Sequence, residues 1–232
     1  MTLKHPSLFS AAILGIFAMA AVADEPNTLT DKEKAEGWVL LFDGKDLGAH
    51  FRSYNGEGIK EQWQVKDGVF TLTEKGGGDI VTKKQYGAFE LTLDFKISKG
   101  GNSGLMYHVI EKAGSPPWHT GPEVQIQDNV DGHDPQKAGW LYQLYAADTD
   151  ATKPAGEWNT LRILITPEKC VHYMNGVKYC EYVKGSKDWD EKVAASKFSK
   201  FPDFGKPTKG HINLQDHGNV VSFRNVKIKS LD

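Results

Sequence analysis

The sequence predicts an all-β fold, most simply a sandwich of two antiparallel sheets with one or two short helices. Segments in which apolar and polar residues alternate recur along the 232 residues, and a period of two is typical of half-buried strands. The 24 glycines and turn dipeptides such as Asp67-Gly68 and Asn175-Gly176 separate these segments. No segment with helical periodicity exceeds about three turns.

The amino terminus predicts a targeting segment. Lys4 and His5 precede an apolar run over residues 8–22, which ends in an Ala-x-Ala sequence at Ala23. This pattern is typical of a signal peptide, here residues 1–23, and the run is short for a membrane span. We therefore expect one domain over residues 24–232, exported to the periplasm or the extracellular space.

The elements are predicted in the following order. Thr30 and Glu33 have the spacing of a capping box, which predicts a short helix, and Asp188 and Glu191 predict another over residues 188–197. Apolar and alternating segments predict strands over 38–42, 63–65, 69–73, 80–82, 89–97, 101–108, 121–129, 158–165, 170–182 (divided by the Asn-Gly turn), 212–215 and 220–228. No linker or internal repeat divides them.

Composition argues against several classes of function. The net charge is −2 and no basic block occurs, so a nucleic-acid partner is not expected. The run Gly76-Gly77-Gly78 predicts a loop, because no helix with a basic residue follows it, and we expect no nucleotide or flavin cofactor. Aromatic residues are 11% of the chain and mostly fit a core, although sugar rings also stack on aromatic faces.

Three strands carry an unusual set of polar side chains on one face. Alternation within each strand groups Asn102, Met106 and His108; Glu123, Gln125 and Gln127; and His211, Asn213, Gln215 and His217. Carboxylate, imidazole and amide groups together exceed what solvation of a surface strand requires. The pattern predicts a polar cleft on one sheet.

Structural roles remain open for the same residues. Glu123 would also fit as a buried carboxylate paired with Arg162, and Asn102-Ser103-Gly104 as a bulge. His217 lies in a sequence typical of an ordinary turn. A single histidine on a strand is most often a satisfied or solvent-facing residue.

The two cysteines, Cys170 and Cys180, flank the Asn175-Gly176 turn. With a two-residue turn Cys170 would lie opposite Glu181, and the thiols would point to different faces. With a three-residue loop and a bulge it would lie opposite Cys180. Export favours the second register, so we expect a Cys170–Cys180 disulfide.

Several stretches resemble the 3-keto-disaccharide hydrolase domain family. They run in order over essentially the whole mature chain: Gly37-Trp38 through Phe42-Asp43-Gly44, Gly100–Gly104, Gly121–Gln125, Gly156–Asn159, Asn175-Gly176, Gly210–Ile212 through Gln215–Gly218, and Val221–Ile228. The resemblance implies a concanavalin A-like or laminin-G-like jelly roll and a saccharide substrate. The oligomeric state is left open.

The resemblance also implies a reaction. A ketone at C3 makes the C2 proton of a glycoside acidic, so a base can remove it and the C1 substituent can leave by elimination. Addition of water then completes a net hydrolysis. Such a site needs a base, an acid for the leaving oxygen and a group that stabilises the enolate.

We expect these roles to fall on residues of the polar face and its loops. His108 or His217 would transfer the proton, and Glu123 would be the other proton-transfer group or a metal ligand. Substrate contacts are expected from Asn102, Gln125, Gln215, Arg162, Trp118 and Tyr142. One divalent ion, calcium or a transition metal, is expected at Glu123 with Asp128 and His133.

Two other classes of function compete with an enzyme. A lectin-like module would use the same face to bind sugar, and calcium would need only the oxygen ligands Glu123, Gln125, Asp128 and Asn129. Such a binder would tolerate loss of the histidines. A structural or adhesion domain would depend on no small ligand, and no second module in the chain favours that role.

Overall fold

The protein is described by a computed structural model that covers Met1 and residues 25–232, so the predicted signal peptide lies almost entirely outside the described residues. The elements are α1 (Asp31–Ala35), β1 (Trp38–Leu40), β2 (Phe51–Ser53), β3 (Trp63–Lys66), β4 (Val69–Leu72), β5 (Ile80–Thr82), β6 (Phe89–Ile97), β7 (Asn102–Val109), β8 (Glu123–Gln127), β9 (Asn159–Ile165), β10 (Cys170–Met174), β11 (Val177–Tyr182), α2 (Lys187–Ala195), β12 (His211–Leu214) and β13 (Val221–Ser230). Three short 3-10 turns complete the set, at Leu47–Ala49, Pro117–His119 and Lys197–Lys200. The predicted all-β class with short helices is confirmed.

The strands form two antiparallel sheets. The larger has eight strands in the order β11-β10-β9-β6-β13-β4-β3, and β1 pairs with the far end of β13. The smaller has five strands in the order β2-β5-β12-β7-β8. Strands adjacent in a sheet often come from distant parts of the chain, which is typical of a jelly-roll sandwich. Within residues 25–232, no helix is long and apolar enough to cross a membrane.

The core lies between the two sheets. In β6, Phe89, Leu91, Leu93, Phe95 and Ile97 are buried, as their alternation predicts. Each strand of the smaller sheet contributes inward side chains: Phe51, Ile80, Leu105, Tyr107, Val124, Ile126, Ile212 and Leu214. Its outward face therefore holds the alternate positions, where the sequence predicts the polar cleft.

Both predicted helices are present. The Thr30 hydroxyl accepts from the Glu33 backbone N–H and the Glu33 carboxylate accepts from that of Thr30, so the predicted capping box is confirmed. The second helix begins at Lys187, one residue before the predicted range. Its N-cap is Ser186, whose hydroxyl accepts a hydrogen bond from the Trp189 N–H. Asp188 instead lies in the first turn, where a carboxylate interacts favourably with the helix dipole.

The β10–β11 hairpin differs from the expectation. Asn175 and Gly176 both have positive φ and form a two-residue turn, with Met174 opposite Val177. A bulge after His172 then shifts the register, so Cys170 lies opposite Tyr182 and Cys180 opposite His172. The expected disulfide is wrong: both cysteines are buried and free. The preference of Asn-Gly for a tight turn outweighed the longer loop that the disulfide needed.

Candidate active site

A polar cleft lies on the outward face of the five-stranded sheet. It has a volume of about 220 Å³ and is lined by Asn102, Trp118, Glu123, Gln125, Asp134, Tyr142, Lys197, Gln215 and His217. The floor comes from β7, β8 and the end of β12, and the walls come from three loops and the turn after α2. Glu123 lines this cleft together with six other predicted site residues: Asn102, Trp118, Gln125, Tyr142, Gln215 and His217.

Glu123 is the buried carboxyl group of this cleft. It begins β8, pairs with Met106 of β7 and is only 7% exposed. No hydrogen bond reaches its carboxyl oxygens from the described residues. Burial is the main cause that raises its pKa to about 8, and Asp79 and Asp134 add to the rise while Lys197 opposes it. The group is therefore mostly protonated near neutral pH and poised to exchange a proton.

Gly104 makes room for this carboxyl group. A Cβ atom at position 104 would lie 2.4 Å from Glu123 Oε1 and 3.0 Å from the carboxyl carbon. Real atoms do not approach so closely, so any side chain on Gly104 would displace Glu123 from its seat. The sequence Asn-Ser-Gly does not form a bulge here: Asn102, Ser103 and Gly104 pair regularly with Gln127, Ile126 and Gln125.

The floor of the cleft presents amide groups without partners. Both side-chain polar atoms of Gln125, Oδ1 of Asn102 and Oε1 of Gln215 are buried and accept or donate no hydrogen bond within the described residues. Leaving such a group unpaired costs roughly 1–3 kcal/mol, so native proteins rarely do so without a reason. These atoms could each form a hydrogen bond with a molecule that enters the cleft. Gln127, on the same face, donates through its side-chain nitrogen to the carbonyl oxygens of Asp134 and Gln136, and its Oε1 is buried without a partner within the described residues.

One wall combines an acid, a phenol and a cation. The Tyr142 hydroxyl donates to Asp134 Oδ2 over 2.8 Å, and Lys197 Nζ lies 4.3 Å from the centre of the Tyr142 ring. Lys197 also lies 5.6 Å from the ring of Trp118 on the other side of the opening. Sequence reasoning did not select Asp134 or Lys197, because Asp134 lies in a loop and Lys197 in a 3-10 turn, both outside any alternating strand.

His217 stands at the rim of the cleft on a tightly held turn. The Asp216 carboxylate accepts hydrogen bonds from the backbone N–H groups of Gly76, Gly78 and Gly218. The Asp216 N–H in turn donates a hydrogen bond to the Asp79 carboxylate. Burial raises the pKa of Asp79 to about 6. The Gly76–Gly78 loop, read as a loop from the sequence, thus fixes the backbone beside His217.

His108 does not reach the cleft, so its predicted face is wrong. Tyr107 and His108 together lie opposite Ile212, a bulge between the β7 and β12 pairs, and His108 has a φ of 55°. The extra residue reverses the alternation, and the imidazole turns to a separate cavity at one end of the sandwich. Gly210, where a Cβ atom would lie 2.4 Å from the His108 backbone, permits this close approach.

Arg162 also lies away from the cleft. It projects from the outer face of the larger sheet, where its guanidinium bonds Glu90 at 2.5 Å and covers the Tyr173 ring. The substrate contact predicted for Arg162, and the alternative pairing of Arg162 with Glu123, are both wrong. Strand alternation identified its face as polar but could not tell which sheet that face belongs to.

The three residues expected to hold a metal do not converge. Asp128 accepts from the backbone N–H groups of Gly100 and Val130 and so shapes a loop, and neither it nor the exposed His133 lines the cleft. Across the part of the chain that the structure describes, no three His, Cys, Asp or Glu side chains form a metal-binding group. The set Glu123, Asp128 and His133 does not fit a metal ion.

Comparisons with known proteins define the class to which this jelly-roll sandwich belongs. The sequence profile of a 3-keto-alpha-glucoside-1,2-lyase-like domain matches residues 37–229. A 3-keto-disaccharide hydrolase from Bacteroides thetaiotaomicron is 32% identical over 93% of this chain and 86% of its own length. The chain is thus a member of a class of carbohydrate-active hydrolases. Within that class it belongs to the 3-keto-disaccharide hydrolase domain family, as its sequence motifs predict.

Solved structures agree with this assignment. A presumed glycosyl hydrolase from Parabacteroides distasonis is 40% identical, with a TM-score of 0.85 over 90% of this chain and 100% of that one. A second from the same organism is 30% identical, with a TM-score of 0.64 over 84% of this chain and 99% of that one. A carbohydrate-binding module from Bacillus subtilis, at 12% identity and a TM-score of 0.50, shares the fold alone.

Proposed function

We propose that the protein cleaves the glycosidic bond of 3-keto-glycosides by removal of the C2 proton, elimination across C1–C2 and addition of water. One observation carries the proposal. Within the described residues, the buried carboxyl group of Glu123 has no hydrogen-bond partner, and it lies in one cleft with several buried amide atoms that also lack partners. A sugar ring offers hydroxyl groups for the amides and a glycosidic oxygen for the acid.

Glu123 acts as the general acid in this scheme. Its raised pKa keeps a proton on the carboxyl group near neutral pH, and an acid with a pKa near the working pH is the most effective proton donor. As the C1–O bond breaks, Glu123 delivers this proton to the leaving oxygen. The resulting carboxylate then takes a proton from the water that adds to C1.

His217 acts as the base. It lines the same cleft from the opposite strand end, on the turn that Asp216 holds. A neutral imidazole nitrogen can accept the proton of a carbon next to a ketone. After elimination the imidazolium of the exposed His217, whose N–H exchanges with solvent, delivers a proton to C2, so acid and base are both restored and the net change is hydrolysis.

The remaining polar groups would bind the enolate and the sugar hydroxyls. Lys197 supplies a positive charge at the cleft mouth, and Gln125, Asn102 and Gln215 supply amide groups on the floor. Donors that face a developing negative charge in a dehydrated site lower the barrier far more than they would in water. Trp118 and Tyr142 provide aromatic walls for the ring.

The experiment uses a matched pair of substrates. The purified mature protein is incubated with a chromogenic 3-keto-glucoside and with the unoxidised glucoside. We expect release of the aglycone from the ketone alone, because only its C2 proton is acidic. In D₂O the sugar product should carry deuterium at C2, since elimination and hydration exchange that hydrogen and direct displacement does not.

Variants test the assigned roles. Glu123→Gln and His217→Gln should each lower kcat by about 10² or more, as general acid or base loss usually does. Arg162→Gln on the far sheet is the control and should leave kcat unchanged. Cleavage of both substrates at equal rates, or no deuterium at C2, contradicts the mechanism. Sugar binding without any cleavage supports the lectin-like alternative instead.

The proposal includes export. A sugar-cleaving enzyme that carries the amino-terminal pattern of residues 1–23 would act in the periplasm or outside the cell. Fractionation of cells expressing the full chain, with the mature amino terminus determined by mass spectrometry, tests this point. Full-length protein in the cytoplasm would contradict it.

A further inference from the structure

A second cavity lies at one end of the sandwich and shares no lining residue with the active-site cleft. Its volume is about 170 Å³, and its walls include His108, Lys184, Ala88, Ile165, Pro167 and Thr208. Ala88, Ile165 and Pro167 are apolar, and the side chains of His108 and Lys184 are hydrogen-bonded to each other. The proposed function makes no use of this cavity.

Lys184 is the central group of the cavity. Its ammonium donates to Nδ1 of His108 over 2.8 Å and to the carbonyl oxygen of Pro207, and it lies 5.9 Å from the centre of the Tyr107 ring. These contacts use two of the three ammonium hydrogens. The third ammonium hydrogen has no acceptor within the described residues.

The ammonium has no opposite charge within the described residues. None of the ion pairs found over residues 25–232 includes Lys184. Burying a charge without a counter-charge is costly, and here burial lowers the Lys184 pKa to about 8. A ligand that brought one negative charge would remove this cost.

His108 directs the lysine and does not neutralise it. Nδ1 accepts from Lys184, so the proton lies on Nε2, which donates to the Gly87 carbonyl oxygen over 2.8 Å. Burial lowers the His108 pKa to about 4, so the ring is neutral at ordinary pH. The bulge that turns His108 away from the cleft thus places its Nδ1 where it accepts the hydrogen bond of the Lys184 ammonium.

We propose that this cavity binds a small organic carboxylate with a short aliphatic chain. The Lys184 ammonium pairs with the carboxylate, and Ala88, Ile165 and Pro167 contact the chain. The Asp232 carboxylate nearby does not compete, because it accepts from the backbone N–H groups of Gly87 and Ala88. The site is independent of the proposed glycoside cleavage.

Calorimetry with butyrate tests the proposal, and butyramide serves as the uncharged ligand of the same shape. At about pH 7 the wild-type protein should bind butyrate at one site and butyramide about tenfold more weakly or worse. Lys184→Met should weaken butyrate binding by about tenfold or more. Lys169→Met, at an exposed position on the neighbouring turn, is the matched control and should leave it unchanged.

Binding should also weaken as pH rises, because Lys184 loses its proton while the carboxylate keeps its charge. The titratable groups that face it are His108 and Tyr107 on β7, Cys170 on β10 and Asp232 after β13. Burial raises the pKa of Tyr107 and Cys170, so both are neutral below about pH 8. Affinity should therefore fall steadily above about pH 8.

A second measurement on the wild-type protein tests the proposal even if the Lys184→Met variant does not fold. Butyrate, and not butyramide, should protect Lys184 of the wild-type protein from acetylation by acetic anhydride, read by peptide mass spectrometry. Glu123→Gln should bind butyrate as the wild type does, which separates this site from the cleft. Absence of binding, equal binding of butyramide, unaltered binding by Lys184→Met, or loss of binding in Glu123→Gln would each overturn the proposal.

Discussion

The strongest prediction concerns the energetic cost of Glu123. Replacing it with glutamine removes a carboxyl group whose pKa is about 8 in the folded protein and 4.5 as an ordinary glutamate. At about pH 7 the unfolded carboxyl group is ionised and the folded one is mostly protonated, so folding must take up a proton. At about 1.4 kcal/mol per pH unit, this costs about 3 kcal/mol of folding free energy.

The sign of the effect follows from the raised pKa. Below about pH 4.5 both states hold the proton and Glu123 costs nothing. Between there and about pH 8 the wild-type protein loses stability as pH rises, because the unfolded state releases the proton first. Above about pH 8 the cost is constant. The free energy of unfolding of Glu123→Gln should therefore increasingly exceed that of the wild type as pH rises, up to a difference of several kcal/mol.

Urea unfolding from about pH 5 to about pH 9 measures this difference. Near pH 7 the gain of about 3 kcal/mol corresponds to a melting temperature higher by about 6–12 °C for a chain of this size. Asp79, whose pKa is about 6, titrates in both proteins, so the part of its effect that does not pass through Glu123 cancels in the difference curve. The control is Glu168→Gln, at an exposed position. A stability difference that does not grow with pH would refute the buried, raised-pKa carboxyl group.

Four further outcomes follow from the site and the fold. The kcat/KM of the wild type should fall as pH rises through about 8, where Glu123 of the free enzyme loses the proton that it donates; a kcat/KM that instead rises there would make Glu123 the base. Gly104→Ala should lower kcat at least about tenfold with an unchanged circular dichroism spectrum, because its Cβ atom would overlap the carboxyl group; full activity would show that the seat is not needed. Asp216→Ala should raise the B-factors of the turn in a crystal structure, lower the free energy of unfolding by about 1 kcal/mol and also lower kcat. A kcat equal to that of the wild type would contradict the positioning role. Because Cys170 and Cys180 are free, dithiothreitol should leave the melting temperature unchanged, and a thiol titration of the unfolded protein should find two thiols.

The polar floor of the cleft could be predicted from the sequence. Alternate side chains of a strand point to opposite faces whatever the strand pairs with, so Glu123 and Gln125 had to share a face. The same rule placed Leu105 and Tyr107 in the core, as observed. Turn and capping preferences are equally local, which is why the capping box at Thr30 was predicted correctly.

Other features were decided only by the tertiary structure. A bulge depends on how two distant strands pair, and one extra residue opposite Ile212 was enough to move His108 from the cleft to another cavity. Asp134 reaches the cleft on a loop and Lys197 on a 3-10 turn, and the positions of both follow from long-range packing rather than from a periodic pattern. The raised pKa of Glu123 likewise needs surroundings drawn from several segments of the chain, since burial is a property of the assembled site.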